Sequence, residues 1–205
     1  MPLAGRPPTG EVTAIQSRCT LAAVNVAMFV AALVVAVSGS TPSAAADPNQ
    51  FPDLSSYAAV NAADYTTYHA YMTTGVQFSA PAGYRCRMSF THKQNGAHVA
   101  CWGTLPGTPH NYVGLDYMVG GSLVSSGFST IDLSRMEEIQ PVGDLPGGTV
   151  NPADYKPLPT HSKVGYAGDG PLQTCAVDAS MTACAITDQD RRHGFVLSPQ
   201  GSWLF

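Results

Sequence analysis

Six histidines, His69, His92, His98, His110, His161 and His193, are this chain's main stock of general bases and metal ligands. Histidine changes charge near neutral pH and ligates metals through either ring nitrogen. His92 and His98 flank Asn95-Gly96, a turn signal that brings them within reach of each other. A zinc site needs three or four converging ligands, and nothing nearby completes that set, so no metal is expected there. His193 follows Arg191-Arg192 and sits beside Asp188 and Asp190. That group suits a bound anion or an acid/base pair, or a charged loop between two strands. Asp188-x-Asp190 lacks the glycine and distal glutamate of a calcium loop. The usual nucleophile and phosphate motifs are absent: no Gly-x-Ser-x-Gly, no His-Glu-x-x-His, no phosphate-binding glycine loop. Ser122 after Gly120-Gly121 imitates a nucleophile turn but lacks the glycine that should follow. No catalytic residue and no cofactor is assigned.

Tyr57, Tyr65, Tyr68 and Tyr71 form a second group. Tyrosines stack on sugars and anchor protein partners. The same spacing also packs a helix on a sheet. Together with Arg191, Arg192 and His193 they are the binding candidates.

These residues must be held by a framework. Asp53 to Tyr57 reads as the start of a short helix. Ala62 to Met72 reads as a second, with Asn61 as its cap and Gly75 beyond its end. From Val76 the pattern changes to strands. Tyr84, Cys86, Met88 and Phe90 alternate onto one face, and Ala97 to Trp102 returns after Asn95-Gly96. Tyr112 to Met118 and Gly121 to Phe128 read as further strands, Asp132 to Ile139 as a helical turn or two, and Gly143 to Pro159 as an ordered loop. Leu172 to Val177 and Met181 to Thr187 flank Asp178-Ala179-Ser180, and a last hairpin turns at Ser198-Pro199-Gln200-Gly201.

The cysteines set the compartment. Cys19 falls in an N-terminal segment that reads as a secretion signal: Arg18, an uncharged apolar run from Leu21 to Val37, then Ala44-Ala45-Ala46 before Asp47. Cleavage after Ala46 is expected, with an uncleaved anchor as the alternative. Residues 1–46 are thus signal plus preceding extension, and 47–205 one exported domain. The domain keeps 8 Lys+Arg and 13 Asp+Glu, net −5. That balance argues against a nucleic-acid binder. It also keeps an even set, Cys86, Cys101, Cys175 and Cys184, as expected in an oxidising compartment. Three pairings are possible. The local one, 86–101 with 175–184, is favoured because each pair spans a candidate hairpin. A two-residue turn at Ala179-Ser180 sets Cys175 opposite Cys184 at a non-hydrogen-bonded position, where side chains lie close. Cys86–Cys101 requires a longer loop, about Thr91 to Gly96, or a bulge.

Four segments carry a resemblance: Phe51-Pro-Asp-Leu54 with Tyr57; Phe78-x-x-Pro-x-Gly-x-x-Cys86; Cys101-x-Gly-x-Leu-Pro-Gly107; and Gly194-Phe-Val-Leu-Ser-Pro-x-Gly-Ser-Trp203. In these the chain resembles small exported proteins of mycobacteria and related actinobacteria. The resemblance implies an envelope or extracellular setting. Its motifs are turns and bridges, so it transfers no catalytic residue.

The expected fold is α+β, mainly antiparallel strands with one or two short N-terminal helices and two hairpin disulfides. An all-β sandwich or small barrel is the alternative. The expected function is an exported module that binds an envelope or extracellular partner without catalysis. A secreted hydrolase with a non-local His/Asp site and a structural envelope protein are the alternatives. Membrane contact is expected only through an uncleaved signal segment.

Overall fold

The computed structural model describes residues 50–205. The signal segment, its cleavage site and Cys19 lie outside the described residues. In chain order the strands are β1 (Ala58–Ala59), β2 (Tyr68–Ala70), β3 (Thr73–Ser79), β4 (Arg85–Thr91), β5 (Gly96–Trp102), β6 (Tyr112–Met118) and β7 (Ser122–Ser129). Then follow β8 (Glu138–Ile139), β9 (Gly148–Thr149), β10 (Lys156–Pro157), β11 (Ser162–Tyr166), β12 (Leu172–Val177), β13 (Thr182–Asp188), β14 (Arg191–Leu197) and β15 (Trp203–Leu204).

One sheet has the order β1-β11-β12-β13-β14-β15. The other has the order β10-β3-β4-β5-β6-β7, with β2 also on β3. Among the described residues only β1 with β11 and β10 with β3 run parallel. Alternation along each strand turns one apolar face inward. Val76, Phe78, Met88, Phe90, Val99 and Leu115 of the second sheet meet Val164, Val177, Ile186, Phe195 and Leu197 of the first in a shared core. Polar links also join the sheets across it. The Tyr84 hydroxyl donates to Thr182 Oγ1 at 2.6 Å, and Gln173 Nε2 donates to the Ser89 carbonyl at 3.1 Å.

The α+β expectation is overturned: the described residues are nearly all β, a two-sheet sandwich, and among them helix is limited to short 3₁₀ turns at Ala62–Asp64, Leu133–Glu137 and Pro152–Asp154. Asn61 does cap, accepting the Ala63 N–H at 3.2 Å, but the turn it caps ends at Asp64. Thr66, Thr67, Tyr68 and Tyr71 then favour extended backbone over helix. The segment expected to be helical becomes β2 and the turn into β3, with Met72 at φ +55°. Gly75 is no helix terminator. It lies within β3, where a Cβ would stand 2.4 Å from the Met88 carbonyl oxygen, so close strand approach requires glycine. Asp53 likewise closes a turn instead of opening a helix, accepting the Ser55 N–H at 2.9 Å.

Both expected disulfides are present. Cys175 faces Cys184 in the β12–β13 register, and Cys86 faces Cys101 between β4 and β5. The Cα separations, 4.1 Å each, suit non-hydrogen-bonded pairs. The second hairpin uses the longer loop: Thr91 pairs with Gly96, and Asn95 takes φ +51°. Two disulfides fit an oxidising environment. Among the described residues no helix is long and apolar enough to cross a membrane.

Candidate functional site

The four tyrosines do not form one stripe. Tyr57 is buried on the outer face of the first sheet beside Leu54 and Ala176. It donates to Asp178 Oδ2 at 3.1 Å and stacks on His161. Tyr65 is buried in the shared core and donates to the Pro157 carbonyl. Tyr68 lies half-buried under the Arg87 guanidinium, 4.1 Å from its ring centroid. Tyr71 alone is open, at 46 % exposure. Sequence spacing counted them as helical neighbours, whereas the strand and its turn send them to separate places.

The cationic candidates separate too. Arg191 donates to the Gly121 carbonyl at 2.6 Å. Arg192 lies over the Phe51 ring at 5.2 Å. His193 sits opposite Ile186, and its ring lies 6.2 Å from that of Tyr117. Arg191 faces Asp188 across β13 and β14. Asp188 in turn accepts the Tyr117 hydroxyl at 3.2 Å.

The histidines around Asn95-Gly96 take different carboxylates. His92 Nδ1 lies 3.0 Å from Asp169, and His98 Nδ1 lies 2.7 Å from Asp116. Asp116 also accepts the Ser125 hydroxyl at 2.6 Å. The hydrogen bond from His98 leads the effects that hold the Asp116 carboxyl below its usual range. His98 and Asp116 line a groove of about 200 Å³ with Gln94, Met118 and Val124. Ser125 bonds the carboxylate and not the imidazole, so this is an Asp-bridged pair without the serine–histidine contact of a nucleophilic triad. Among the described residues no group of three or more His, Cys, Asp or Glu could hold a metal ion.

A groove of about 340 Å³ opens beside Tyr71. One wall is His69 to Tyr71, at the end of β2. The other is the narrow ribbon of β8 and β9, whose tip turns through Gly143 (φ +58°) between Val142 and Leu145. Val142 and Leu145 stay 44 % and 49 % exposed, and the half-buried Ile139 lines the same groove. Gly147 lets the ribbon close, because a Cβ there would meet the Ile139 carbonyl oxygen at 2.4 Å.

The ribbon is tethered by a charged cluster that sequence reading did not find. Glu137, at its base, binds Arg85 at 2.6 Å and Arg87 at 3.4 Å, and accepts the Tyr155 hydroxyl at 2.8 Å. Arg87 is buried. It donates to Gln77 Oε1, to the Met136 carbonyl and to the Tyr155 hydroxyl, and sits over the Tyr68 and Trp102 rings. Burial pushes the Tyr155 hydroxyl far above its usual range. The only sequence signal was Arg87 on the strand face opposite Cys86 and Met88, which says nothing about a glutamate fifty residues on.

No known protein family, curated protein or solved structure matches this chain.

Proposed function

We propose that this is an exported, disulfide-pinned module that binds an envelope or extracellular partner through the groove between Tyr71 and the 139–148 ribbon, without chemistry of its own. One observation carries the reading: Tyr71, Val142 and Leu145 stay exposed around a concave surface of about 340 Å³ that buried charges hold in place. Exposed apolar side chains gathered at a cleft mark contact sites, and aromatic anchors dominate their energetics. The signal-like segment before Asp47 and the two bridges support an exported setting, and the resemblance to exported actinobacterial proteins agrees with it.

The test is saturable binding of labelled protein to isolated cell envelope. Tyr71→Ala and Leu145→Ser are each expected to weaken binding about 30-fold, the equivalent of ~2 kcal/mol, with folding unchanged. His193→Ala is expected to leave binding intact. The hydrolase reading is favoured by one geometry, the His98–Asp116 pair on its groove. Turnover of an ester, peptide or glycan substrate that His98→Ala abolishes without unfolding would replace the binding reading.

A further inference from the structure

Four strands or strand pairs end the two sheets, and they are unequal. The first sheet ends on β1 and β15, two residues each. The second ends at one side on β10, two residues containing Lys156 and Pro157, beside the three-residue β2. Short strands, lysine and proline are how proteins keep sheet edges from pairing with other chains. The remaining edge has none of these, and its one such device is a bulge at Val124. β7 runs eight residues, Ser-Leu-Val-Ser-Ser-Gly-Phe-Ser, without a charge or a proline, and Ser122 to Ser126 are exposed. An edge strand bonded on one side turns alternate N–H and C=O groups outward, and those groups recognise another extended chain.

The surroundings of β7 are apolar as well. Of nine exposed large hydrophobics among the described residues, Met118, Val119, Leu123 and Val124 belong to the β6–β7 hairpin. A register shift at Asp116/Tyr117 leaves Val124 unpaired in the ladder, and the residues after it return to regular pairing.

The charges at the two ends of β7 select the occupant. At its start Arg191 is bound to the Gly121 carbonyl, and among the described residues its guanidinium forms no ion pair. Just beyond its end Asp132 is exposed and caps the Leu133–Glu137 turn. In an antiparallel two-fold pairing centred near Ser125 and Ser126, the start of one β7 lies beside the end of the other. Each Arg191 then approaches the Asp132 of the second copy, twice per pair. A two-fold contact uses the same patch on both copies, and this patch is complementary to itself.

We infer that β7 pairs with β7 of a second copy of this chain, joining two seven-stranded sheets edge to edge into a symmetric dimer. The contact is distinct from the Tyr71 groove, which lies toward the β2 side of the same sheet.

Light scattering on the purified oxidised protein, up to about 1 mM because small interfaces are weak, tests this. The mass is expected to rise with concentration from one copy toward two. Ser126→Lys places like charges together near the two-fold centre and is expected to weaken the dimer at least tenfold. Arg191→Glu is expected to weaken it severalfold, and Arg191→Glu with Asp132→Arg to restore it. Circular dichroism verifies that each variant is folded. A mass of one copy throughout overturns the proposal. So does a dimer indifferent to Ser126→Lys, a failed charge-swap rescue in folded protein, or a monomer that takes up a different extended chain on β7.

Discussion

Tyr84 shows how much one hydroxyl does in this core. It is 3 % exposed and donates to Thr182 on the opposite sheet. Burial raises its pKa to about 12 from an ordinary 10, against a smaller lowering by the Thr182 hydrogen bond. The neutral form is therefore favoured in the fold. Its stabilising contribution is complete below pH 10 and is lost as pH rises through about 12. The loss amounts to about 3 kcal/mol for two pH units. Alkaline unfolding should show a slope to which Tyr57, Tyr112 and Tyr155 also contribute, and Tyr84→Phe should reduce it by Tyr84's share while costing ~1 kcal/mol near neutrality through the lost hydrogen bond. A melting series from pH 8 to 12 compares the two proteins. Arg87 works in the opposite sense, as a charge kept buried by its partners. Arg87→Leu takes the donor from Gln77 Oε1, the Met136 carbonyl and the Tyr155 hydroxyl and leaves Glu137 with one cation fewer, and should cost about 3 kcal/mol in urea unfolding. It should also weaken partner binding beyond that of a surface variant of equal stability, because Glu137 anchors the groove ribbon.

At the scale of elements, Gly75 gives the sharpest test. Gly75→Ala would drive a methyl group into the Met88 carbonyl between β3 and β4, so a cost of about 2–3 kcal/mol or more is expected. Were Gly75 a helix terminator, alanine would cost far less. Hairpins could be read because their information is local. Ala179-Ser180 sets the Cys175–Cys184 register, and Pro81 to Gly83 turns β3 into β4. Ala62 to Met72 reads as helix because its cap is sound and its period ambiguous, whereas pairing with β3 decides its conformation. The groove was half legible. Tyr71 stood out as a residue type, but Val142 and Leu145 reach it only through a ribbon anchored by Arg87 and Glu137. Contacts between segments that far apart leave no periodic trace.

For the whole molecule, the two bridges are the best probe of cooperativity. The four bridged cysteines are 0 % exposed and belong to the shared core, one pair from each sheet. A reductant reaches them only after the sandwich opens. Each closes a short loop, with sequence separations of 15 and 9 residues, and on the chain-entropy account contributes roughly 3 kcal/mol. Domains of this size are stable by only about 5–15 kcal/mol, so losing both removes much of the total. Reduction of the native protein should therefore be slow, insensitive to added reductant at high concentration, and accelerated by urea with the slope of global unfolding. Once reduced, the chain should lose its near-ultraviolet circular dichroism at a temperature the oxidised form tolerates. If one bridge reduced quickly with the small urea dependence of a local fluctuation, its hairpin would be an independent unit. The core shared by the two sheets would then open in parts and not as one cooperative unit.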